Sequence, residues 1–388
     1  SDSIRQVSSR LWIKKPSLMF LILSGSRAVN LMLFILFAAS VLISTTIMNN
    51  LHTPSIILND IQDLDPSLIA WEKRGYYATI YNYNVFGIVL KAQGDSIQNK
   101  TCIIVHGFPS SSFEYSYGAA VGLQNMGYDV VLHDHVGFGF SDKPSNGFGY
   151  SIHDHADVAL EFYNSLNIVN PCVFISHDMG DSILTEILSR FQRNPNIFQP
   201  SFHIEQVIFT NGGMYMREAS LRLSQRLLSS NIAEEFSNLA CNLDPTGYIS
   251  KHQLNSVFAS SIKSAPVDSK IGLQKSHQIQ MLQELLNYKG GNVILWRLAK
   301  YLQDRYACEY RWMVGLNKLQ STVPLQFVWG SDDSVAPLNI PKQFIDKANL
   351  HLSKLTVVEG RGHFWMMENG DGAFWASTMH EAIKNRDI

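Results

Sequence analysis

The feature that most constrains the fold is an abrupt change from strand to helix at Asp178. Residues 172–175 are apolar and largely β-branched or aromatic, as in a strand that is covered on both faces of a sheet. Residues 183–188 then repeat apolar side chains at helical spacing. A buried strand that turns directly into a helix predicts an α/β fold, with a mostly parallel sheet flanked by helices.

The small residues around Asp178 predict a nucleophile elbow. Ser176 and Gly180 stand two positions before and after it, where the strained turn leaves no room for bulky side chains. An aspartate that only caps a helix N-terminus is the alternative. The chain contains no Gly-x-Ser-x-Gly sequence, which argues against a serine esterase.

Strand and helix signals alternate along most of the remaining chain. Residues 77–90 predict an antiparallel pair of strands, and buried strands are predicted at 101–105, 128–133, 207–210, 324–329 and 355–358. Between residues 214 and 320 the strand signal disappears and amphipathic helices follow one another. This break predicts a helical cap inserted over the carboxyl ends of the strands.

An uncharged apolar stretch at residues 31–48 is just long enough to cross a bilayer, and five basic residues precede it. A cleaved signal peptide and a buried helix are the alternatives. The next basic residue is Lys73, so the positive-inside rule predicts a cytoplasmic N-terminus and a lumenal globular part. Asn99 lies in the one Asn-x-Ser/Thr sequence and would then be a glycosylation candidate.

The predicted organisation has six parts. They are a basic N-terminal segment (1–30), a transmembrane anchor (31–48), a linker (49–74), the first part of the core (75–213), the helical cap (214–320) and the second part of the core (321–388). A net charge of −2 gives no basic surplus for nucleic acid. The four cysteines lack metal-site spacing, and the calcium-like loop at 242–253 has a single carboxylate, so neither metal nor cofactor is expected.

Three polar side chains each follow a predicted strand, in the order Asp178, Asp333, His363. Because the carboxyl ends of parallel strands lie at one edge of a sheet, we expect these side chains to meet there. Each could instead be an ordinary turn or loop residue. The order nevertheless matches nucleophile, acid and histidine, and the Gly-x-x-Asp spacing favours Asp333 over Asp332 as the acid.

From about residue 77 onward the chain resembles the α/β-hydrolases. Residues 177–180, His-Asp-x-Gly, are similar to the elbow of the epoxide hydrolase and haloalkane dehalogenase branch, and residues 106–109 and 134–141 also match it. Residues 176–181 and the Asn-Gly-Gly at 211–213 resemble a membrane-anchored member of this branch. That resemblance implies a single-pass protein of the endoplasmic reticulum membrane.

The resemblance also implies roles for individual residues. The backbone N–H groups of Phe108 and Met179 would line an oxyanion hole. His106 and Gly107 would support the loop that carries Phe108.

An aspartate nucleophile restricts the substrate on chemical grounds. A carboxylate is ionised at neutral pH and needs no base, but its attack on an acyl carbon would give an anhydride. Attack on a saturated carbon, in an epoxide or alkyl halide, gives an ester. His363 could activate water against this ester, with Asp333 orienting the ring. We therefore expect a small, lipophilic substrate.

Epoxide opening is favoured over dehalogenation, because neither Phe108 nor Met179 offers an indole N–H for a halide. Opening an epoxide requires acids, which cap tyrosines supply in this branch. Tyr310 is the first candidate because Arg311 follows it, and Tyr215 is the second. The cap also contains Tyr248, Tyr288, Tyr301 and Tyr306.

Two alternative functions stay open. One is a haloalkane dehalogenase. The other is an anchored binding or regulatory protein that keeps the fold without turnover, since a charged Asp181 would disfavour a second negative charge on Asp178.

Overall fold

The computed structural model describes residues 60–194, 200–216, 270–291, 293–367 and 372–386. The predicted anchor at 31–48, the first cap residues 217–269 and the calcium-like loop lie outside the described residues. None of the described helices is both long and apolar enough to cross a membrane.

The described strands form a single sheet. In chain order they are β1 (Tyr76–Ile80), β2 (Tyr83–Leu90), β3 (Thr101–Val105), β4 (Asp129–His133), β5 (Cys172–His177), β6 (Ile204–Thr210), β7 (Leu325–Gly330) and β8 (Lys354–Val358). Their order across the sheet is β1-β2-β4-β3-β5-β6-β7-β8. β1 and β2 pair antiparallel, β2 pairs antiparallel with β4, and all pairings from β4 to β8 are parallel. The predicted mostly parallel sheet is confirmed.

Burial of the strands follows their composition. β3 and β5, which read as continuous apolar runs, are buried along their whole length in the middle of the sheet. β1 lies at the edge and is largely exposed. It turns into β2 through Tyr81 and Asn82, both at positive φ, as a two-residue hairpin requires.

Helices connect the strands and cover the sheet. The described α-helices are α1 (Pro66–Glu72), α2 (Ala119–Asn125), α3 (Ile152–Ser165), α4 (Met179–Arg193), α5 (Lys270–Asn287), α6 (Leu295–Leu298), α7 (Tyr301–Leu319), α8 (Asn339–Lys347) and α9 (Gly372–Lys384). The predicted Ser151–Asp154 capping box at the start of α3 is present.

The helices form two layers. The chain runs from β3 outward to β4 and then returns past β3 to β5, so right-handed crossovers place α2 on the face opposite α3 and α4. Contacts agree with this, because α2 packs on α9 while α4 packs on α3 and α7. β3 and β5 flank the point where the strand order reverses, which is where open α/β sheets bind ligands.

α7 belongs to the predicted cap by sequence, but much of it lies alongside the core. It packs along α4, and a Cβ added at Gly315 would lie 2.6 Å from the Ser189 Oγ atom. Trp312, Leu316 and Leu319 are buried in this contact layer. The end of α7 is therefore a core helix, while its beginning reaches the strand ends.

Candidate active site

Asp178 occupies the strained turn between β5 and α4. Its backbone has φ 47° and ψ −110°, a conformation that a non-glycine residue rarely adopts. A Cβ at Gly180 would lie 2.3 Å from the Val105 carbonyl oxygen, and one at Gly107 would lie 2.6 Å from the Asp178 Cβ. The small residues around the elbow are thus required by close packing of β3 against the turn.

The Asp178 carboxylate has one donor on each oxygen. The Phe108 backbone N–H donates to Oδ2 at 3.1 Å, and Arg305 Nη2 donates to Oδ1 at 3.2 Å. Only 5% of the residue is exposed. The predicted oxyanion donor Phe108 therefore lies against the predicted nucleophile.

Arg305, from the first half of α7, is the main residue that the sequence did not reveal. Its Nη2 also donates to the Asp178 carbonyl oxygen at 3.0 Å, and its Nε donates to Ser182 Oγ at 2.8 Å. The guanidinium lies over the Tyr301 ring, 4.5 Å from the centroid. Arg305 thereby ties the elbow to α7.

His363 and Asp333 form a buried pair. His363 Nδ1 lies 2.8 Å from Asp333 Oδ2, which also accepts from Asn211 Nδ2 at 2.6 Å. Asp333 Oδ1 accepts the backbone N–H groups of Val335 and Ala336 at 2.7 and 2.8 Å. With all these donors, Asp333 is fixed as an orienting acid.

Asn211 is a second functional residue that the sequence did not assign. Besides donating to Asp333, its Oδ1 accepts from the Gly330 N–H at 3.3 Å and from Trp365 Nε1 at 3.2 Å. Its position directly after β6 could have suggested this role, since it is a polar residue at the same sheet edge.

The surroundings of His363 favour its charged form. Burial alone would lower its pKa, but the charge and hydrogen bond of Asp333, together with the charges of Asp178 and Glu114, outweigh burial, so the pKa is raised above its ordinary value. The His363 ring also packs on that of His177, the residue before Asp178, with 4.8 Å between the ring centroids. Asp178, Asp333 and His363 therefore lie at the same edge of the sheet.

Residues behind the site hold the loop and the histidine in place. His106 Nδ1 donates to the Gly107 carbonyl at 2.9 Å, and its Nε2 accepts the His135 N–H at 3.0 Å. Burial lowers the pKa of His106, so the ring stays neutral. His177 Nε2 donates to the His363 carbonyl at 3.0 Å. Met179, the other predicted oxyanion donor, is the first residue of α4, where backbone N–H groups have no partner within the helix.

Comparison with known proteins gives consistent matches. The profile of the α/β hydrolase fold matches residues 100–199. LipZ of Mycobacterium tuberculosis, whose name calls it a hydrolase, is 30% identical over 276 residues, covering 71% of this chain and 85% of LipZ. The chain belongs to the α/β-hydrolase family.

Two further proteins are similar to this chain. The mesoderm-specific transcript homolog protein of Homo sapiens is 26% identical over 297 residues, covering 76% of this chain and 81% of that protein. The epoxide hydrolase VrEH1 of Vigna radiata has a similar structure, with a TM-score of 0.55 at 18% identity over 80% of this chain and 97% of VrEH1. The second match concerns the fold alone. The resemblance inferred from the sequence motifs is confirmed at family level.

The cap tyrosines of this α/β-hydrolase are not arranged as expected. Tyr310 is 80% exposed and lines a surface cavity with Ser189, roughly 16 Å along α4 from the elbow. The structure therefore does not bring Tyr310 to Asp178. Tyr215 is buried in the loop after β6, with no described hydrogen bond to Asp178.

Another cap tyrosine among the described residues, Tyr301, lies beside the site. Its ring lies 5.3 Å from that of Phe108, centroid to centroid. Burial raises the pKa of Tyr301, and the charge of Asp178 raises it further, so the hydroxyl is protonated and lies within reach of that charge.

Asp181 lies beside the elbow and is fully buried, and its Oδ1 accepts from Ser176 Oγ at 2.6 Å. Burial raises the pKa of Asp181 well above its ordinary value. This direction disfavours the charged form on which the non-catalytic alternative relies. Within the described residues, no three acidic, histidine or cysteine side chains are arranged to hold a metal ion.

Proposed function

We propose that this α/β-hydrolase opens a small, lipophilic epoxide through an alkyl-ester intermediate on Asp178. The observation that carries the proposal is that the two oxygens of the Asp178 carboxylate have different partners. Oδ2 accepts from the Phe108 N–H, and Oδ1 accepts from the Arg305 cation. An ionised carboxylate needs no base, which fits the absence of any described hydrogen bond between Asp178 and His363.

In the first step, Oδ1 of Asp178 attacks a ring carbon and the epoxide C–O bond breaks. Tyr301 gives its proton to the leaving alkoxide, which is a stronger base than a phenolate. Arg305, which is always cationic, remains beside Oδ1 while negative charge moves from this oxygen to the epoxide oxygen. Oδ2 becomes the ester carbonyl oxygen and stays on the Phe108 N–H.

In the second step, His363 acts as the base. Esterification has removed the charge of Asp178, one of the charges that raise the pKa of His363, and this favours the neutral ring. His363 then takes a proton from the water that attacks the ester carbonyl carbon. Asp333 holds the ring and stabilises the imidazolium that forms. Negative charge develops on Oδ2, where the N–H groups of Phe108 and Met179 stabilise it. The ester bond then breaks, and the His363 imidazolium gives its proton to the departing alkoxide, which leaves as the diol. The proton left on the Asp178 carboxyl returns to the Tyr301 phenolate, directly or through water, and restores both groups.

A single turnover in heavy-oxygen water tests this order of events. The first product molecule should take its new oxygen from Asp178 and carry no label, while the label enters the Asp178 carboxylate. A direct attack by water would instead label the first product and leave Asp178 unlabelled, and this result would refute the proposal.

One observation favours a second candidate, a binding or regulatory protein without turnover. The ion pair between Arg305 and Asp178 is buried, and a paired carboxylate is a weaker nucleophile than a free one. A panel of epoxides, alkyl halides and esters separates the candidates. Diol formation supports epoxide opening, halide release supports the dehalogenase alternative, and no product from any compound supports the non-catalytic one.

The proposed location follows from the sequence, as a single-pass protein of the endoplasmic reticulum membrane with a lumenal hydrolase domain. Asn99 is exposed in the loop between β2 and β3, where a glycan could be attached. Protease protection of the domain in sealed microsomes is expected. Digestion of the domain by added protease would contradict the lumenal orientation.

A further inference from the structure

A second cluster of reactive side chains lies on α3, α4 and α7, away from Asp178. Glu186 stands at its centre, roughly 12 Å along α4 from the elbow. Its Oε1 accepts from His153 Nδ1 at 2.9 Å and from Arg190 Nε at 2.7 Å, and its Oε2 accepts from Trp312 Nε1 at 2.7 Å and from Arg311.

The other nitrogen of His153 faces a thiol. Cys308 Sγ lies 3.7 Å from His153 Nε2, and Arg311 Nη2 donates to the same sulfur at 3.2 Å. The contacts therefore run from the Cys308 thiol through the His153 imidazole to the Glu186 carboxylate. Such an arrangement activates a cysteine, because the thiolate is the nucleophilic form.

Two basic side chains flank the sulfur of Cys308. Its Sγ lies between the His153 imidazole and the Arg311 guanidinium. The hydrogen bonds to Cys308 and then to Glu186 raise the pKa of His153 to about 10. Reactive cysteines typically lie beside such basic groups.

A surface cavity borders Cys308, whose own exposed fraction is 4%. Cys308 and His153 line it together with Arg193 and Arg311. The same two arginines line a neighbouring cavity that also includes Lys318. Since the carboxylate of Glu186 is already used by four donors, the charge that these cavities present to a ligand is positive.

We propose that Cys308 is a site of thiol modification, which forms a mixed disulfide with small anionic disulfides such as oxidised glutathione. The Sγ thiolate attacks one sulfur of the disulfide, a new S–S bond forms to Cys308, and the old S–S bond breaks. The other half leaves as a thiolate with the electron pair. Cys308 is thereby oxidised and the released half is reduced.

Two of the other three cysteines serve as internal controls, and Cys241, which lies outside the described residues, is replaced by serine in every protein tested. Cys102 and Cys172 lie in the buried strands β3 and β5. Burial raises the pKa of Cys172 to about 12 and that of Cys102 as well, so both thiols stay protonated and shielded. They should not react while the protein is folded.

The test follows disulfide exchange on the full chain with two reagents of different charge. Dithiobis(nitrobenzoate) carries two carboxylates, whereas dithiodipyridine is uncharged at neutral pH. With the folded protein, Cys308 should react with the anionic reagent roughly 10-fold faster than the thiols of the same chain unfolded in denaturant. Incubation with oxidised glutathione should add one glutathionyl group, mapped to Cys308.

Three variants sharpen the result. Cys308→Ser should lose the fast phase, and His153→Gln should slow it roughly 10-fold with either reagent. Arg193→Gln should slow only the anionic reagent, by roughly threefold, because it removes attraction and leaves the sulfur unchanged. Circular dichroism verifies that each variant is folded. A fast phase that survives in Cys308→Ser, or a folded-state rate no higher than the unfolded rate, would overturn the site, and equal rates for the two reagents would overturn the anionic preference.

Discussion

Asp178 and Glu186 are both buried carboxylates that contact an arginine of α7, yet their surroundings differ. Among the described residues, Asp178 accepts from one side chain, Arg305, and from one backbone N–H. Glu186 accepts four side-chain donors, among them Arg311 and Trp312. A carboxylate can accept about four hydrogen bonds, so Glu186 is saturated while Asp178 keeps lone pairs for chemistry.

The backbone conformations of Asp178 and Glu186 also differ. Glu186 lies inside regular helix, whereas Asp178 is held at φ 47° in a turn that packing must maintain. Burial alone would raise the pKa of Glu186, but its hydrogen bonds and the charges around it lower that pKa well below its ordinary value. Glu186 is thus arranged as a structural anion, whereas Asp178 is the carboxylate that we propose to be reactive.

Removing each carboxylate should separate these two roles. Asp178→Asn should reduce turnover on the order of 10⁴-fold or more, because the nucleophile is lost. Glu186→Gln should keep turnover within roughly threefold but destabilise the fold by about 3–5 kcal/mol, because cations are left without their buried partner. Steady-state kinetics and urea unfolding of both variants check this. Similar turnover losses for the two would break the distinction.

The arginines provide the second comparison. Arg305→Met should lower the free energy of unfolding by about 3–5 kcal/mol, because the buried Asp178 carboxylate loses the arginine with which it pairs. Arg311→Met should cost about 1 kcal/mol, since Glu186 keeps Arg190, His153 and Trp312. Urea unfolding measures both. An equal cost for the two would show that Asp178 does not depend on Arg305.

Substitution of the tyrosines of α7 tests which end of this helix takes part in the proposed epoxide opening. Tyr301→Phe should reduce turnover of an epoxide roughly 10²-fold, because the proton donor is lost while the ring is kept. Tyr310→Phe is the matched control and should turn over at the parent rate, as its side chain is exposed. A loss in Tyr310→Phe alone would reverse this assignment.

The smallest effect concerns the pH dependence of stability. The folded pKa of His153, about 10, lies above its ordinary value of 6.5, so its contribution is fully present below pH 6.5 and is lost as pH rises towards 10. Thermal unfolding between these pH values should show a decline that His153→Gln lacks. The same slope in both proteins would show that His153 is not held as a cation.

The strand ends were predictable from the sequence and the contacts of α7 were not. Asp178, Asp333 and His363 follow buried strands, and a parallel sheet necessarily brings such residues to one edge. No such rule predicts which residues of a helix face the site, because the rotation of a helix about its own axis depends on packing. Tyr301 and Tyr310 are separated by nine residues, which at 100° per residue puts them about 180° apart, on opposite faces.

The burial of individual charged side chains was also not predictable from the sequence. Asp181 is expected to be charged from the sequence, and only the structure shows the burial beside Ser176 and Thr210 that raises its pKa. Arg305 reads as one of several cap arginines, and nothing in its spacing marks it as the partner of Asp178.

The central claim is that Asp178 attacks carbon unaided and that His363 acts only afterwards. His363→Gln keeps a polar side chain but removes the general base, so the ester should form and persist. When this variant is incubated with an epoxide that the parent enzyme hydrolyses, mass spectrometry should show one added substrate mass, and peptide mapping should assign it to Asp178. Hydrolysis by His363→Gln at the parent rate, or an adduct on a serine, would contradict the account.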